Sequence, residues 1–354
     1  MIVKKPRRHS RLISSVALLL LAAPPARAEL VKETHPLLGA LLEITVESED
    51  RETGQNRIRD AVAVAHRLEA QLNPDVEDSP LRRLNEKAGQ GSLPVPLDLY
   101  RLLALSRLLT RSTGDAFDVT VGPLLHRRQV AGGDRAPRFN VAEALTLVGA
   151  DKIVLNPPED AGLADAGMSV DFGAIAQGYM LQRMAASLRA SGVVKALLEF
   201  ADTTVLAVGP PVGEAPFRVR VAHGKSSVGS VTLRDRSLST ARTRRRGEDS
   251  GYPLIVDPRS GRFVDVDRQA TVVARDAAIA QAWSTALVVD PDGALGLLEQ
   301  PRDVEALVFD EHGEHRSPRF ADWAGWKAEG PGARSLEPAG EEAPPAAADA
   351  KGHE

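Results

Sequence analysis

The clearest order in this chain is the spacing of its apolar positions. Residues 41–47 alternate, with Leu42, Ile44 and Val46 on one face, which predicts a half-buried strand. Residues 56–72 change period: Ile58, Ala61, Val62, Ala65, Leu68 and Leu72 fall on one helical stripe, and Asn73-Pro74 ends it. Residues 97–109 predict a second amphipathic helix. Residues 175–189 predict a third, with Ile175, Met180, Met184 and Leu188 inward and Gly192 just beyond its end. Strand-like runs follow at 194–200, 204–208, 217–221 and 229–233. A helix over 276–289, with Asp276 placed to cap it, a short helix over 292–298 and a strand over 304–310 complete the pattern. No internal repeat is evident. Helices and antiparallel strands in blocks, without a βαβ rhythm, predict an α+β domain.

Both ends depart from this pattern. Residues 1–28 hold six basic side chains and no acidic one, a mainly apolar run over 12–23, and Ala26-Arg27-Ala28, the form of a signal-peptidase site. The run is too short to span a bilayer, so the segment predicts a cleaved export signal and a periplasmic protein without a stable membrane anchor. The Sec route fits better than the twin-arginine route, because Arg7-Arg8 lacks the flanking residues of the latter. From Ala328 onward the chain is rich in Ala, Pro, Glu and Gly, and predicts a disordered acidic extension. The expected domain spans residues 29–327.

Charge and cysteine content narrow the function. The full chain of 354 residues carries 44 Lys+Arg and 48 Asp+Glu; without the export segment, 38 basic residues face 48 acidic ones, a net charge of −10. Nucleic acid is therefore not an expected partner. The absence of cysteine excludes disulfides, thiolate zinc sites, iron–sulfur clusters and a cysteine nucleophile.

Four segments have a composition that connectors do not require. The first runs from Gly114 through Asp118, Thr120, Gly122 and Pro123 to Leu125. The second, Asp171-Phe172-Gly173-Ala174-Ile175-Ala176-Gln177-Gly178-Tyr179, is a glycine turn entering a helix. Backbone N–H groups at such a start can hold phosphate oxygens, and a plain turn with a capping aspartate is the alternative. The third, Ile255 to Arg262, sets Asp257 beside Arg259 and Arg262 on a tight turn. The fourth, Ala280 to Leu287, places Gln281 and Thr285 one turn apart on a single helix face.

Taken in order, these segments resemble the ApbE family of FAD:protein FMN transferases over about residues 34–325. Asp78-Ser79-Pro80-Leu81-Arg82-Arg83-Leu84-Asn85 is similar to that family's D-S-x-L-S-R-L-N, and Pro216-Phe217-Arg218-Val219 to its P-W-x-V. The resemblance implies a single T-fold-like domain of antiparallel sheets flanked by helices. It also implies an enzyme that moves the FMN half of FAD onto a threonine of an exported acceptor protein, with Mg²⁺ as cofactor, FAD as substrate and AMP as product. By the same resemblance Ala174 (through its carbonyl), Gln281 and Thr285 stand at the metal. Asp118, Thr120, Gly173, Gln177, Gly178, Asp202 and Asp257 stand around the flavin nucleotide.

The departures from the family pattern concentrate on polar positions. Its lysine in G-x-I-A-K-G-Y is Gln177, its G-G-D is Phe200-Ala201-Asp202, and its histidine before I-D-P is Leu254. The aspartate of its A-D-A-x-x-T is Gln281, whose neutral amide brings no charge to a magnesium ion. A homologue that binds FAD without transferring it, or acts only as a partner protein, is the alternative that these substitutions raise.

Overall fold

The computed structural model describes residues 28–125, 140–200, 203–224, 226–243, 255–298 and 303–329. Nearly all of the export segment and of the acidic extension, together with Asp202 and Leu254, lie outside the described residues.

The fold is α+β, built on one antiparallel sheet of eight strands. From edge to edge they are Glu29–Leu37, Ala40–Ser48, Ala196–Phe200, Thr204–Val208, Ser237–Thr243, Arg268–Ala274, Val304–Asp310 and Gly313–Arg316. A three-stranded sheet (Phe217–His223, Ser226–Leu233, Lys327–Ala328) and another (Ser92–Pro94, Asp160–Leu163, Ile153–Asn156) flank it.

The expected strand over 41–47 is Ala40–Ser48, and Leu42, Ile44 and Val46 are indeed its buried face. Helix Arg51–Leu72 carries the expected stripe but starts five residues early. Asp50 caps it, accepting from the Thr53 N–H at 2.8 Å and from the Thr53 hydroxyl. Gly54 extends the stripe one turn further, where an added Cβ would lie 2.6 Å from Val31. The residue that fits this packing is the one that hides the helix from a hydrophobicity reading.

Two helices set up the centre of the molecule. Ala176–Ala190 buries Met180, Met184 and Leu188 as expected, and Ala277–Val289 is buried on nearly every side with Trp283 in the core. Asp276 caps the latter, accepting from Ala278 and Ile279 N–H. The two helices cross at Gly178, where an added Cβ would stand 2.2 Å from the Ala277 carbonyl oxygen. This close crossing brings the start of one helix against the first turns of the other.

A glycine turn gripped from three sides

The turn from Asp171 to Gly178 is held by groups from distant parts of the chain. The Asp171 N–H donates to the Val119 carbonyl at 2.8 Å, and its carboxylate accepts from the Gly173 N–H at 2.8 Å. One residue earlier, Asn85 clamps Val170: its Nδ2 donates to the Val170 carbonyl at 3.0 Å, and its Oδ1 accepts from the Val170 N–H at 2.8 Å. From the third side comes Gln281. Its Oε1 accepts from the Gly178 N–H at 2.8 Å, and its Nε2 donates to the Gly173 carbonyl at 3.3 Å.

Asp171 therefore closes an Asx-type turn; it does not cap the helix, whose N-cap position is Ile175 without a side-chain bond. The expected group Gly173, Ala174, Gly178, Gln281 and Thr285 is thus largely one place. Gln281 is buried, and the Thr285 hydroxyl donates back to the Gln281 carbonyl at 3.2 Å. Gln177 is half-buried on the same helix start, with its Oε1 accepting from the Thr203 hydroxyl at 3.3 Å. Thr203 immediately follows Asp202, which is outside the described residues.

Beneath Gln281 the polar network continues into the sheet. Ser284 donates to the Gln281 carbonyl and approaches Ser239, which pairs with Thr204 at 3.1 Å. All three of these hydroxyl residues are buried. Asn85, Thr203 and this hydroxyl seam carry roles that the chain's patterning did not assign. Only Asn85 left a signal, as the last residue of the D-S-P-L-R-R-L-N run.

Asp118 and Thr120 form a second hub, joined to the turn through Val119 between them. Asp118 Oδ1 accepts from the Thr120 N–H and hydroxyl, at 2.7 and 2.6 Å, and Oδ2 accepts from the Ala150 N–H at 2.9 Å. The Thr120 oxygen in turn accepts from the Gly149 N–H at 2.7 Å. Burial pushes the Asp118 carboxyl above its ordinary pKa, against the lowering effect of these donors. The hub borders a cavity of about 450 Å³, into which Arg107, Arg111, Asp115 and Arg259 also face.

Asp257 precedes Pro258 and Arg259, which line that cavity, but is not itself in its wall. Its Oδ1 accepts from the Arg259 backbone and Nε, both at 3.0 Å, while Arg259 reaches on to Asp290 at 2.7 Å. This is a self-contained turn, and no bond links Asp257 to the Gly173–Gly178 region among the described residues.

The donor set at 174, 281 and 285 does not fit the magnesium ion that the resemblance implies. Mg²⁺ favours carboxylate and water oxygens in a strict octahedron. Here the amide of Gln281 is neutral and is engaged at both ends, and the Thr285 proton is directed at a backbone carbonyl. Among the described residues, no three His, Cys, Asp or Glu side chains converge in a way that could hold a metal.

Truncating Asn85 tests the grip directly. Asn85→Ala leaves both polar groups of Val170 without partners, and is expected to cost about 2 kcal/mol. Chemical denaturation of the purified chain measures this, with a loss under about 0.5 kcal/mol contradicting the clamp.

Comparison with known proteins supplies the remaining finding. A family model described as the ApbE family matches residues 38–308. Proteins named FAD:protein FMN transferase are similar to this chain. The one from Klebsiella pneumoniae is 26% identical over 68% of this chain and 78% of its own length, and the one from Treponema pallidum is 27% identical over 71% and 76%. Among solved structures, the flavinyl transferase ApbE of Pseudomonas stutzeri superposes with a TM-score of 0.71 at 24% identity. The match covers 84% of this chain and 97% of that one. The Thermotoga maritima ApbE protein gives the same TM-score at 23% identity.

Proposed function

The chain belongs to the ApbE family, and from that premise we propose that it is a FAD:protein FMN transferase acting on an exported acceptor. A threonine hydroxyl of the acceptor attacks the FMN phosphorus of FAD. The pyrophosphate P–O bond to AMP breaks, AMP leaves, and the hydroxyl proton passes to the released phosphate or to solvent. The products are a phosphodiester-linked FMN on the acceptor and free AMP. The basic, apolar N-terminal stretch supports a periplasmic setting for this reaction.

One observation carries the reading. Four of the segments that resemble the family converge on a single feature, the Asp171–Gly178 turn, gripped by Asn85, by the backbone at Val119 and by Gln281. A transfer that depends on alignment of the attacking and leaving oxygens needs a rigid cradle for the nucleotide, and three independent anchors supply rigidity. Gly173 is exposed at the rim of the turn and Gln177 half-buried beside it, so both can meet a ligand. Asp118 and Thr120 act one step back: each of their side-chain oxygens is engaged, and they flank the Val119 carbonyl on which the turn hangs. No step in this reading is routed through a metal.

The reading is tested by incubating the purified chain with FAD and a candidate acceptor domain bearing an exposed threonine. Flavin fluorescence that stays with the denatured acceptor on a gel is expected. Fluorescence that is lost on denaturation, with flavin still bound before it, would mean binding without transfer.

A further inference from the structure

We infer that the side-chain amide of Gln281 takes the place of a divalent cation as the clasp of the Asp171–Gly178 turn, so that this chain binds no Mg²⁺ there and holds FAD without it. The clause about FAD rests on the proposed function; the clasp itself does not.

Gly173 has no free backbone group. Its N–H donates to Asp171 and its carbonyl accepts from Gln281, so both of its backbone groups are satisfied by protein side chains. At the other end of the turn the Gly178 N–H donates to the same amide. A single side chain thus bridges a carbonyl and an N–H five residues apart. Only a group that donates and accepts at once can do this. A carboxylate at 281 would accept from Gly178 but would turn lone pairs toward the Gly173 carbonyl, and the two oxygens would repel unless a cation stood between them. The amide removes that requirement.

Burial strengthens the case. Gln281 is 8% exposed, in a helix buried at most of its positions. A neutral amide with both ends bonded costs little there, whereas an ionised carboxylate needs a compensating charge. The Thr285 hydroxyl, which donates to the Gln281 carbonyl, braces the same helical turn from within. The crossing at Gly178 leaves no slack, because the Ala277 backbone would meet any added Cβ at 2.2 Å. The clasp therefore sits in a frame that already fixes both partners.

Calorimetry on the purified full chain tests this in two titrations. Titrated with MgCl₂ alone, the flavin-free protein is expected to give no saturable heat; a saturable isotherm would overturn the clasp. Titrated with FAD, it is expected to show the same affinity within about twofold in Mg²⁺ and in EDTA; a loss of about tenfold or more in EDTA would overturn it as well. FAD binding absent from both buffers would defeat the functional reading alone, since the Mg²⁺ titration decides the clasp without flavin. Gln281→Asp supplies the converse. It is expected to acquire a Mg²⁺ isotherm and a thermal midpoint that rises on adding Mg²⁺, neither of which a merely structural role would produce. Where that variant does not fold, Gln281→Glu, which keeps the side-chain length, serves the same purpose. Folded variants that remain indifferent to Mg²⁺ would contradict the inference.

Discussion

Gly178→Ala should destabilise the protein by about 3 kcal/mol or more, although alanine is the better helix former by roughly 1 kcal/mol. The added methyl would stand 2.2 Å from the Ala277 oxygen, 2.5 Å from its carbon and 2.7 Å from the Ala278 nitrogen. All three are backbone atoms of the crossing helix, so no rotamer change relieves the clash. The helices must part, and parting them lengthens the 2.8 Å bond from Gly178 to Gln281. For a domain of this size the thermal midpoint should fall by roughly 6–12 °C. Gly296→Ala is the control: Gly296 lies in the Pro291–Leu297 helix with nothing within 4 Å of an added Cβ. It is expected to be neutral or to stabilise by about 0.5–1 kcal/mol. Equal midpoints for the two variants would contradict the crossing geometry.

Asp118→Ala is the second large effect. It strips the acceptor from the Thr120 N–H, the Thr120 hydroxyl and the Ala150 N–H, in a place where Thr120 is fully buried and Ala150 nearly so. Unsatisfied buried donors cost about 1–3 kcal/mol each, and some relief comes from removing a buried charge, so a net loss of about 3–5 kcal/mol is expected. The pH dependence has a definite sign. The folded-state pKa of Asp118 is raised, chiefly by burial, above the ordinary 3.8. Its favourable contribution is therefore full below the unfolded pKa and declines as pH rises through the folded value. The penalty of Asp118→Ala should accordingly be largest below the ordinary pKa and shrink as pH rises through the raised folded-state value. Urea titrations of both proteins at several pH values measure this. A penalty that grows with rising pH would mean that the charge is stabilised in the fold, not opposed by burial.

The apolar stripes were the legible part of the fold. Helix Arg51–Leu72 and strand Ala40–Ser48 follow from residue spacing because each buries one face against a common core. Strand Ser237–Thr243 was not visible, and the reason is chemical. Its sequence SLSTART shows no apolar alternation, and its hydroxyls are satisfied across strands: Ser239 with Thr204, Thr240 with Thr271, and Ser237 with the Ala274 carbonyl. Arg268–Ala274 lies beside it; its sequence RQATVVA is buried at every position from Gln269 onward, polar residues included, so no alternation marks a buried face.

The site divides in the same way. Gln281 and Thr285 were placed on one helix face by their spacing; Gln281 bonds the turn, while the Thr285 hydroxyl bonds the Gln281 carbonyl within their own helix. What spacing cannot supply is the partner: the Gly173 carbonyl lies 108 residues away along the chain. Asn85 likewise reaches Val170 across 85 residues. Asp257 shows the opposite outcome. It looked like a site residue beside two arginines, and its bonds run to Arg259 and Ser260 within its own turn. The charge pattern was legible, but its use was local.

The central claim, flavin transfer by this chain, meets its most direct test in the intact mass of an acceptor domain after incubation with FAD, read together with released AMP. The acceptor is expected to gain the mass of one FMN group at a threonine, with one AMP formed for each group added. An unmodified acceptor and no AMP, from a folded chain that binds FAD, would contradict it.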